Sequence, residues 1–243
     1  DALASTTSRE EIRIRGRLRG RDGGWLWVES SISPYVDSDG TVSSQVVMAR
    51  NISDQVLAEQ SAQRALDDLA YRSSHDMLTG LRNRDQLISD LDRRLASRSA
   101  GTLVAVLFVD VDRFKEVNDG ISHAAGDSVL VDLARRLQAT VRPGDIVGRL
   151  GGDEFAIVIG DLRSAVEAGR TAERLRETIA SRRFNTDESQ VHCTVSIGIA
   201  VSNRTSTAQS LLSEADAALY KAKGGGRDRW EVADDAMRAE AVR

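Results

Sequence analysis

The chain contains little of several residue types, and each scarcity excludes a class of protein. Its 243 residues include one cysteine, Cys193, so no internal disulfide can form, and we expect a reducing, cytoplasmic setting. No run of about 18 apolar residues is present, so we expect no membrane-spanning segment. No basic stretch followed by an apolar one opens the chain, so we expect no signal peptide. Lysine is rare: the 33 Lys and Arg residues include three lysines, Lys115, Lys221 and Lys223.

The remaining composition is typical of a globular protein. Hydrophobic residues make up 41% and charged residues 29% of the chain, which is enough apolar material for a core. The formal net charge is -4. Residues 1–53 contain seven basic and seven acidic side chains, so this arginine-rich segment is neutral and we expect no nucleic-acid polymer as a partner.

The first 53 residues alternate in the way that half-buried strands do. Residues 11–19 place apolar or small side chains at even positions and arginines at most odd ones, and this period of two predicts one buried and one solvated face. Residues 25–36 and 42–49 predict two further strands, with Gly- and Asp-rich turns between them. The segment is therefore predicted to be a three-stranded antiparallel meander.

A helix is predicted over residues 54–74, which contain no glycine or proline. Ala58, Ala62, Ala65 and Leu69 recur at the spacing of a short coiled-coil seam, so we expect a homodimer through this helix. The alternative that the spacing leaves open is a lone amphipathic helix packed on its own domain.

After residue 75 the pattern alternates between helices and strands, which predicts a mixed α/β domain. The predicted helices cover residues 85–96, 123–140, 163–181 and 207–223. The predicted strands cover residues 102–109, 146–150, 155–159, 191–201 and 230–232. The first of these strands is almost continuously apolar, so we expect it at the centre of the sheet.

Acidic residues stand at two strand ends in this domain. Asp110 and Asp112 follow the predicted central strand, and Asp153 and Glu154 follow a turn made of two glycines. If the two strands are neighbours, Asp110 and Asp153 face each other at one end of the sheet. Magnesium binds to a few carboxylates together with phosphate oxygens, so this arrangement predicts a metal and phosphate site. Taken singly, each acidic turn also fits a pair of solvated turn residues.

Residues 151–155 spell GGDEF, and the chain resembles the GGDEF domain family, the diguanylate cyclases, from residue 75 to about residue 232. Further segments resemble the family's motifs in the same order: 75–84 (HDMLTGLRNR), 110–119 (DVDRFKEVND), 123–127 (HAAGD), 195–198 (VSIG), 218–223 (ALYKAK) and 226–227 (GR). The resemblance implies a central, mostly antiparallel sheet flanked by helices. It also implies a reaction in which two GTP condense to cyclic di-GMP and two pyrophosphates, with one GTP on each subunit of a dimer.

The same resemblance assigns roles to residues. It implies that Asp110 and Asp153 bind Mg²⁺ (or Mn²⁺) through their side chains and Val111 through its carbonyl, and that Asp153 or Glu154 is the base. The positions that correspond to the family's GTP-binding residues are Phe114, Lys115, Asn118, Asp127, Lys223 and Arg227. Structural roles also fit four of these residues: helix capping for Asn118 and Asp127, a helix C-terminal charge for Lys223, and core packing for Phe114.

A second site is implied by the turn at residues 142–145 (RPGD), five residues before the GGDEF motif. The family's inhibitory site is an RxxD turn that binds the product, so Arg142 and Asp145 are predicted to bind cyclic di-GMP, with Arg174 as a candidate helper. A guanidinium suits this purpose because its planar fork pairs with guanine O6 and N7 or with phosphate. The alternative is an ordinary Pro-Gly turn with a surface ion pair.

The predicted organisation has four parts. Residues 1–53 resemble the C-terminal strands of a PAS sensor domain, 54–74 form the signalling helix, 75–233 the catalytic domain and 234–243 a linker. The leading hypothesis is a dimer-dependent, product-inhibited diguanylate cyclase. The alternative is a non-catalytic module that binds GTP or cyclic di-GMP and regulates an adjacent EAL-type phosphodiesterase domain. Two positions depart from the family's usual pattern: Ser122 replaces glycine, and Asp228 replaces asparagine.

Overall fold

The computed structural model describes residues 12–38, 42–187 and 189–234. They fall into two compact units, one within Asp1–Ala70 and the other within Tyr71–Arg243. The turn predicted at 37–40 lies partly outside the described residues, and the linker predicted at 234–243 lies outside them beyond residue 234. None of the helices in the described ranges combines the length and the apolarity that crossing a membrane would require.

The first unit contains a three-stranded antiparallel sheet, as predicted. Its strands are β1 (Ile12–Arg19), β2 (Trp25–Val36) and β3 (Val42–Asn51), in the order β1-β2-β3. The expected burial of the even-numbered face of β1 is only partly realised, since Ile14 and Leu18 are exposed. Val28 and Ile32 of β2, which lie on the same face, are buried, so this face is covered over only part of its area.

Helix α1 covers Ser53–Ser74, one residue more than the predicted 54–74 at its start. None of its residues is buried. Leu57, Leu66 and Leu69 are each about 60% exposed. The interpretation of this segment as a helix packed on its own domain is therefore not supported by its burial.

The second unit has the predicted fold class, a mostly antiparallel sheet between helices. Its helices are α2 (Arg84–Ala96), α3 (Phe114–Gly120), α4 (His123–Thr140), α5 (Ala165–Ala180) and α6 (Ala208–Gly224). Its strands are β4 (Leu103–Val111), β5 (Ile146–Gly151), β6 (Glu154–Leu162), β7 (Phe184–Asn185), β8 (Gln190–Val191), β9 (Val195–Val201) and β10 (Trp230–Val232). The main sheet has the order β10-β9-β4-β6-β5 and is antiparallel except for the β10–β9 pair.

The main sheet is buried on both faces because its side chains alternate between two apolar layers. On β4, Leu107 and Val109 belong to the layer shared with α4 and α5, whereas Val106 and Phe108 belong to the layer shared with α2 and α6. The central position predicted for this strand from its continuous apolar run is thus confirmed.

Three predicted strand boundaries were wrong. β6 covers Glu154–Leu162 and so extends three residues beyond the predicted end at residue 159. β4 continues through Val111, so Asp110 lies within the strand, where it pairs with Glu154 on β6 and Ser196 on β9. The predicted strand 191–201 is divided into β8 and β9, because β8 pairs with β7 in a separate two-stranded sheet. The β4 pairings join segments that are far apart along the chain, so a local pattern could not reveal them, whereas β7 and β8 form a short local hairpin that the apolar pattern did not separate from β9.

Gly198 allows α6 to pack directly on β9. A β-carbon added at this residue would overlap the carbonyl oxygen of Ala215 and the amide nitrogen of Leu219, both backbone atoms of α6. Since α6 carries Lys223 near its end, this close contact also determines where that lysine lies relative to the sheet.

We predict that Gly198→Ala lowers the free energy of unfolding by about 1–3 kcal/mol, because backbone atoms cannot yield to an extra methyl group as side chains can. Urea unfolding, combined with hydrogen exchange of the β9 amides, measures the effect. Gly120→Ala is the control, since its added methyl group would meet no atom within 4 Å. Equal stability of the two variants would contradict the close packing.

Candidate functional site

The acidic end of the sheet is built by two neighbouring antiparallel strands. Asp110 on β4 lies opposite Glu154, the first residue of β6. Asp153 stands in the turn before Glu154, where Gly151 and Gly152 have φ values of +150° and +52° that side-chain-bearing residues rarely adopt. The turn therefore places both acids of the motif beside the end of the central strand, as expected if the two strands were neighbours.

Asp110 is buried and makes an ion pair with Lys223. The Nζ atom of Lys223 lies 2.7 Å from Oδ2 of Asp110, whose side chain is 7% exposed. Burial raises the pKa of Asp110 to about 6, against the hydrogen bond from Lys223, which lowers it, and with repulsion from Asp153 adding to the rise. The Lys223 ammonium therefore stabilises the ionised form of the Asp110 carboxylate against the effect of burial.

Glu154 shares this environment. Burial raises the pKa of Glu154, and repulsion from Asp216 and Asp153 raises it further. Three carboxylates, those of Asp110, Asp153 and Glu154, thus influence one another at one sheet end. Such a concentration of negative charge favours binding of a cation or of a proton.

Arg149 ties the turn to the start of the domain. Its Nε and Nη2 atoms donate to the carbonyl oxygen of Gly152 at 2.9 and 2.8 Å, and its Nη1 atom donates to Asp76 Oδ1 at 3.0 Å. Asp76 also accepts from the amide and the hydroxyl of Thr79. The sequence patterns indicated no role for Arg149 or Asp76, although Asp76 lies in one of the family motifs.

Asp112 accepts hydrogen bonds from neutral donors, whereas Asp110 makes an ion pair. It is 7% exposed, and its carboxylate accepts from the hydroxyls of Ser196 and Thr194 at 2.6 and 2.7 Å and from the amide of Asp228 at 3.0 Å. With its oxygens occupied in this way, Asp112 joins β4 to β9 and to the loop after α6. The same contacts explain the buried hydroxyl of Ser196.

The donor set at the sheet end fits a hard divalent cation. The predicted ligands, the carboxylates of Asp110 and Asp153 and the carbonyl of Val111, are all oxygen donors, which Mg²⁺ and Mn²⁺ prefer. The described residues contain no group of three or more His, Cys, Asp or Glu side chains arranged to hold a metal. Mg²⁺ is commonly held by one or two carboxylates together with phosphates and water rather than by a protein cage.

The predicted base-binding residues lie on α3 and α4. Asn118 faces Gly126 so closely that a β-carbon at residue 126 would overlap its Oδ1 atom and approach Phe114 to 3.1 Å. Phe114 is partly buried against the core, as expected of a residue that packs there. Asp127 is exposed and lines a cavity of about 480 Å³ with Leu78. The described contacts give neither Asn118 nor Asp127 a capping role; Ser122 caps α4 instead.

The structure places one of the three predicted phosphate-binding cations in contact with the acidic sheet end. Lys223 contacts Asp110 directly, whereas Lys115 on α3 is exposed. Arg227 follows α6 in a left-handed conformation with φ of +64° and lines a cavity of about 510 Å³. Asp112 also lines that cavity, but Asp110 and Asp153 do not.

The RxxD turn is ordered by its own side chains. Arg142 Nε lies 3.3 Å from Asp145 Oδ1, and the Arg142 guanidinium also donates to the carbonyl oxygen of Gly160. The Asp145 side chain is 4% exposed and that of Arg142 49% exposed. Arg174 is exposed on α5 and lines a different cavity, of about 880 Å³, to which Arg142 does not contribute.

Comparison with known proteins gives this site a context. Residues 73–229 match the family described as "Diguanylate cyclase, GGDEF domain". The chain is 41% identical over 168 residues to the diguanylate cyclase TpbB of Pseudomonas aeruginosa, an alignment that covers 68% of this chain and 39% of TpbB. It is 36% identical over 226 residues to the bifunctional diguanylate cyclase/cyclic di-GMP phosphodiesterase MucR of the same species. This alignment covers 92% of this chain and 33% of MucR.

A solved structure extends the similarity to three dimensions. The coiled coil and GGDEF domain of DgcB from Caulobacter crescentus, solved in complex with c-di-GMP, superposes with a TM-score of 0.68 at 30% identity, covering 75% of this chain and 97% of that one. The chain spans less than half the length of the two curated relatives named above. These similarities therefore bear on the domain rather than on any whole protein.

We predict that Lys223→Met raises the pKa of Asp110 above its value of about 6, because the variant removes the ammonium that stabilises the ionised carboxylate. A titration of the Asp110 carboxyl carbon by ¹³C NMR measures this change. Lys221→Met serves as the control, since Lys221 pairs with Asp234 at 3.2 Å. An unchanged or lowered pKa in Lys223→Met would show that the ion pair does not govern this group.

Proposed function

The chain belongs to the GGDEF domain family of diguanylate cyclases, and from this premise we propose that it condenses two GTP into cyclic di-GMP. In each half of the reaction the 3′-hydroxyl of one GTP attacks the α-phosphorus of the other, a P–O bond forms, and the bond to pyrophosphate breaks. The observation that carries the proposal is the group of Asp110, Asp153, Glu154 and Lys223 at one sheet end. These residue types are what phosphoryl transfer requires, because it depends on charge stabilisation and positioning.

Asp110, Asp153 and the carbonyl of Val111 would hold Mg²⁺ or Mn²⁺, which when bound polarises phosphoryl oxygens and acidifies a nearby hydroxyl. The chain's own contribution is electrostatic. The mutual repulsion of the carboxylates and the burial of Asp110 make the sheet end favourable for positive charge. Lys223, which neutralises Asp110 in the ligand-free chain, can turn its ammonium toward the triphosphate once that charge is balanced otherwise.

We assign the acceptance of the hydroxyl proton to Glu154 rather than Asp153. A general base works best when its pKa approaches the working pH, and burial raises the pKa of Glu154 in that direction. Asp153 remains the carboxylate assigned to the metal. The sequence left these two acids interchangeable, and the surroundings of Glu154 support a division of their roles.

GTP recognition is proposed for the face made by α3 and α4. A carboxylate such as Asp127 accepts the N1–H and N2–H₂ donors that guanine presents and adenine lacks. Gly126 leaves room for the Asn118 amide beside it. Lys115 and Arg227, both exposed, supply cations to the triphosphate. Phe114 supports this face from the core side.

Dimerisation through α1 is proposed because each subunit supplies half of the reaction. The helix has no buried residue, and its leucines are exposed along its length. Leu69 lies on one face with Ala58, Ala62 and Ala65, and a second helix would cover this seam. The DgcB structure, which contains a coiled coil together with its GGDEF domain, supports the same arrangement here.

The meander of the first unit is proposed to belong to a PAS sensor domain. Ile14, Leu18, Leu26 and Val47 share one face of the sheet and are exposed, so this face offers an apolar surface that further residues of such a domain would cover. In this organisation, residues 54–74 transmit the sensor's state to the catalytic domain at residues 75–233. A linker is proposed at residues 234–243.

A second candidate function takes from MucR, which is named as both a cyclase and a phosphodiesterase, only the presence of a phosphodiesterase activity in the same protein as a cyclase activity. The domain would then bind GTP or cyclic di-GMP without turnover and regulate an adjacent EAL-type phosphodiesterase domain. Binding of GTP without release of pyrophosphate would favour this candidate over the cyclase. The intact set of acidic residues at 110 and 153–154 supports the cyclase.

Product inhibition is proposed at the RxxD turn. Arg142 is half exposed and Asp145 is buried beneath it, so the guanidinium can leave its intramolecular partner and pair with a guanine edge or a phosphate of cyclic di-GMP. Cyclic di-GMP carries two negatively charged phosphates, so it offers the Arg142 guanidinium more negative charge than the single carboxylate of Asp145 does. Arg174 on α5 is the proposed second contact.

We predict that Asp153→Ala abolishes the conversion of GTP to cyclic di-GMP, because one of the two carboxylate ligands is lost. Pyrophosphate release and chromatographic detection of the product, in the presence of Mg²⁺, measure the activity. Asp187→Ala is the matched control, since Asp187 is an exposed acid on the β7–β8 connection. Retained activity would remove Asp153 from the site. A wild-type chain that stays inactive after fusion to a strong dimerising helix would overturn the cyclase proposal.

We predict that Arg142→Ala raises the inhibition constant for cyclic di-GMP about tenfold, the effect of losing one two-pronged contact to guanine or phosphate. Initial rates at increasing product concentration measure it. Arg163→Ala, which changes another exposed arginine, controls for the loss of positive charge. Undiminished inhibition in Arg142→Ala would remove the turn from the proposed regulatory site.

A further inference from the structure

Helix α5 is joined to the loop after α6 by an arginine that the proposed reaction does not use. Arg176 donates from Nη1 to Asp228 Oδ1 at 3.0 Å, from Nη2 to Glu173 Oε1 at 2.7 Å and from Nε to Glu173 Oε2 at 3.2 Å. Glu173 in turn accepts from the indole of Trp230 at 2.9 Å. The Arg176 side chain is 22% exposed, so these contacts hold its fork in one orientation.

The loop that Arg176 holds has an unusual backbone. Arg227 and Asp228 both have positive φ values, +64° and +44°, which cost free energy for residues with side chains. Two hydrogen bonds oppose this cost: the amide of Arg227 donates to Ala222 O at 3.2 Å, and the amide of Asp228 donates to Asp112 Oδ2 at 3.0 Å. The Asp228 side chain, held by Arg176, is a third restraint on the same two residues.

The loop contains two neighbouring residues of opposite charge, Arg227 and Asp228, and their effect on a bound phosphate depends on which partner the Asp228 carboxylate has. Asp228 is adjacent in sequence to Arg227, which is proposed to bind the triphosphate. An uncompensated carboxylate at residue 228 would repel phosphate and compete for the Arg227 guanidinium. Arg176 satisfies this carboxylate from the side of α5, so the Arg227 guanidinium is left available to GTP.

We propose that Arg176 is a positioning residue for GTP: by neutralising Asp228 it keeps the loop in its left-handed conformation and Arg227 free for the triphosphate. The inference rests on the proposed function, because it requires that Arg227 contacts GTP. It adds a residue from α5 to the determinants of GTP affinity. It also gives a role to Asp228, whose negative charge stands beside a phosphate-binding arginine.

The test is a cycle of three variants, Arg176→Ala, Asp228→Asn and the double variant, in the full chain. Each is titrated with α,β-methylene-GTP in the presence of Mg²⁺ by calorimetry, because this analogue binds without releasing pyrophosphate. Arg176→Ala is expected to raise the Kd roughly fivefold to tenfold by exposing the Asp228 charge to phosphate. The double variant is expected to return to within about twofold of wild type, since asparagine tolerates positive φ and carries no charge.

The rescue separates positioning from folding. An arginine needed only to stabilise the fold would leave the double variant as weak as Arg176→Ala. That result, or an unchanged Kd in Arg176→Ala, would overturn the inference. Arg170→Ala controls for loss of an exposed arginine on the same helix and is expected to bind like wild type. Hydrogen exchange of α5 and β9 verifies that each variant is folded.

Different experimental results would refute the proposed catalysis and the proposed role of Arg176. A wild-type chain that binds the analogue but releases no pyrophosphate from GTP would refute catalysis, while the variant cycle would still decide the role of Arg176. A wild-type chain that binds no analogue would overturn the inference together with the GTP site. Where turnover is present, the Arg176→Ala defect is expected in KM rather than in kcat, because it acts on binding of the triphosphate.

Discussion

Repulsion among the carboxylates at the end of the main sheet is the constraint around which the catalytic unit is organised. Asp110 is buried between two strands, where an ionised carboxylate is unfavourable unless a cation lies nearby. Lys223 supplies that cation in the ligand-free chain. The same charges make the sheet end favourable for a cation, so the proposed Mg²⁺ would take over the role that Lys223 has in the ligand-free chain.

Each partner of this cluster is placed by packing elsewhere. Lys223 reaches Asp110 because Gly198 lets α6 lie directly on β9. Asp153 reaches the same point because two glycines with positive φ form the turn, and Arg149 holds the carbonyl of Gly152. Since Arg149 is paired with Asp76, the turn is linked to the segment through which the proposed signalling helix enters the catalytic domain.

The secondary structure was largely predictable because apolar periodicity is a local property. The strands of the first unit, the long helices and the central position of β4 follow from it, and the family resemblance identified the acidic motifs. The wrong predictions concern strand ends that are determined by hydrogen bonds to neighbouring strands. β4 extends through Asp110 because both neighbours hydrogen-bond to it, and the strand predicted at 191–201 is broken by the β7–β8 pairing. Exposed Ile14 and Leu18 likewise depend on what covers the sheet.

The chemical groups available to the site can be read from the amino-acid sequence: the acids at 110 and 153–154, the three lysines and the RxxD turn. Two of those lysines, scarce in an arginine-rich chain, fall at proposed triphosphate positions. The tertiary structure alone decided how the groups are paired. It joined Asp110 to Lys223, Asp76 to Arg149 and Arg176 to Asp228. Partners so far apart in the chain meet through the packing of helices on the sheet, which local propensities do not encode.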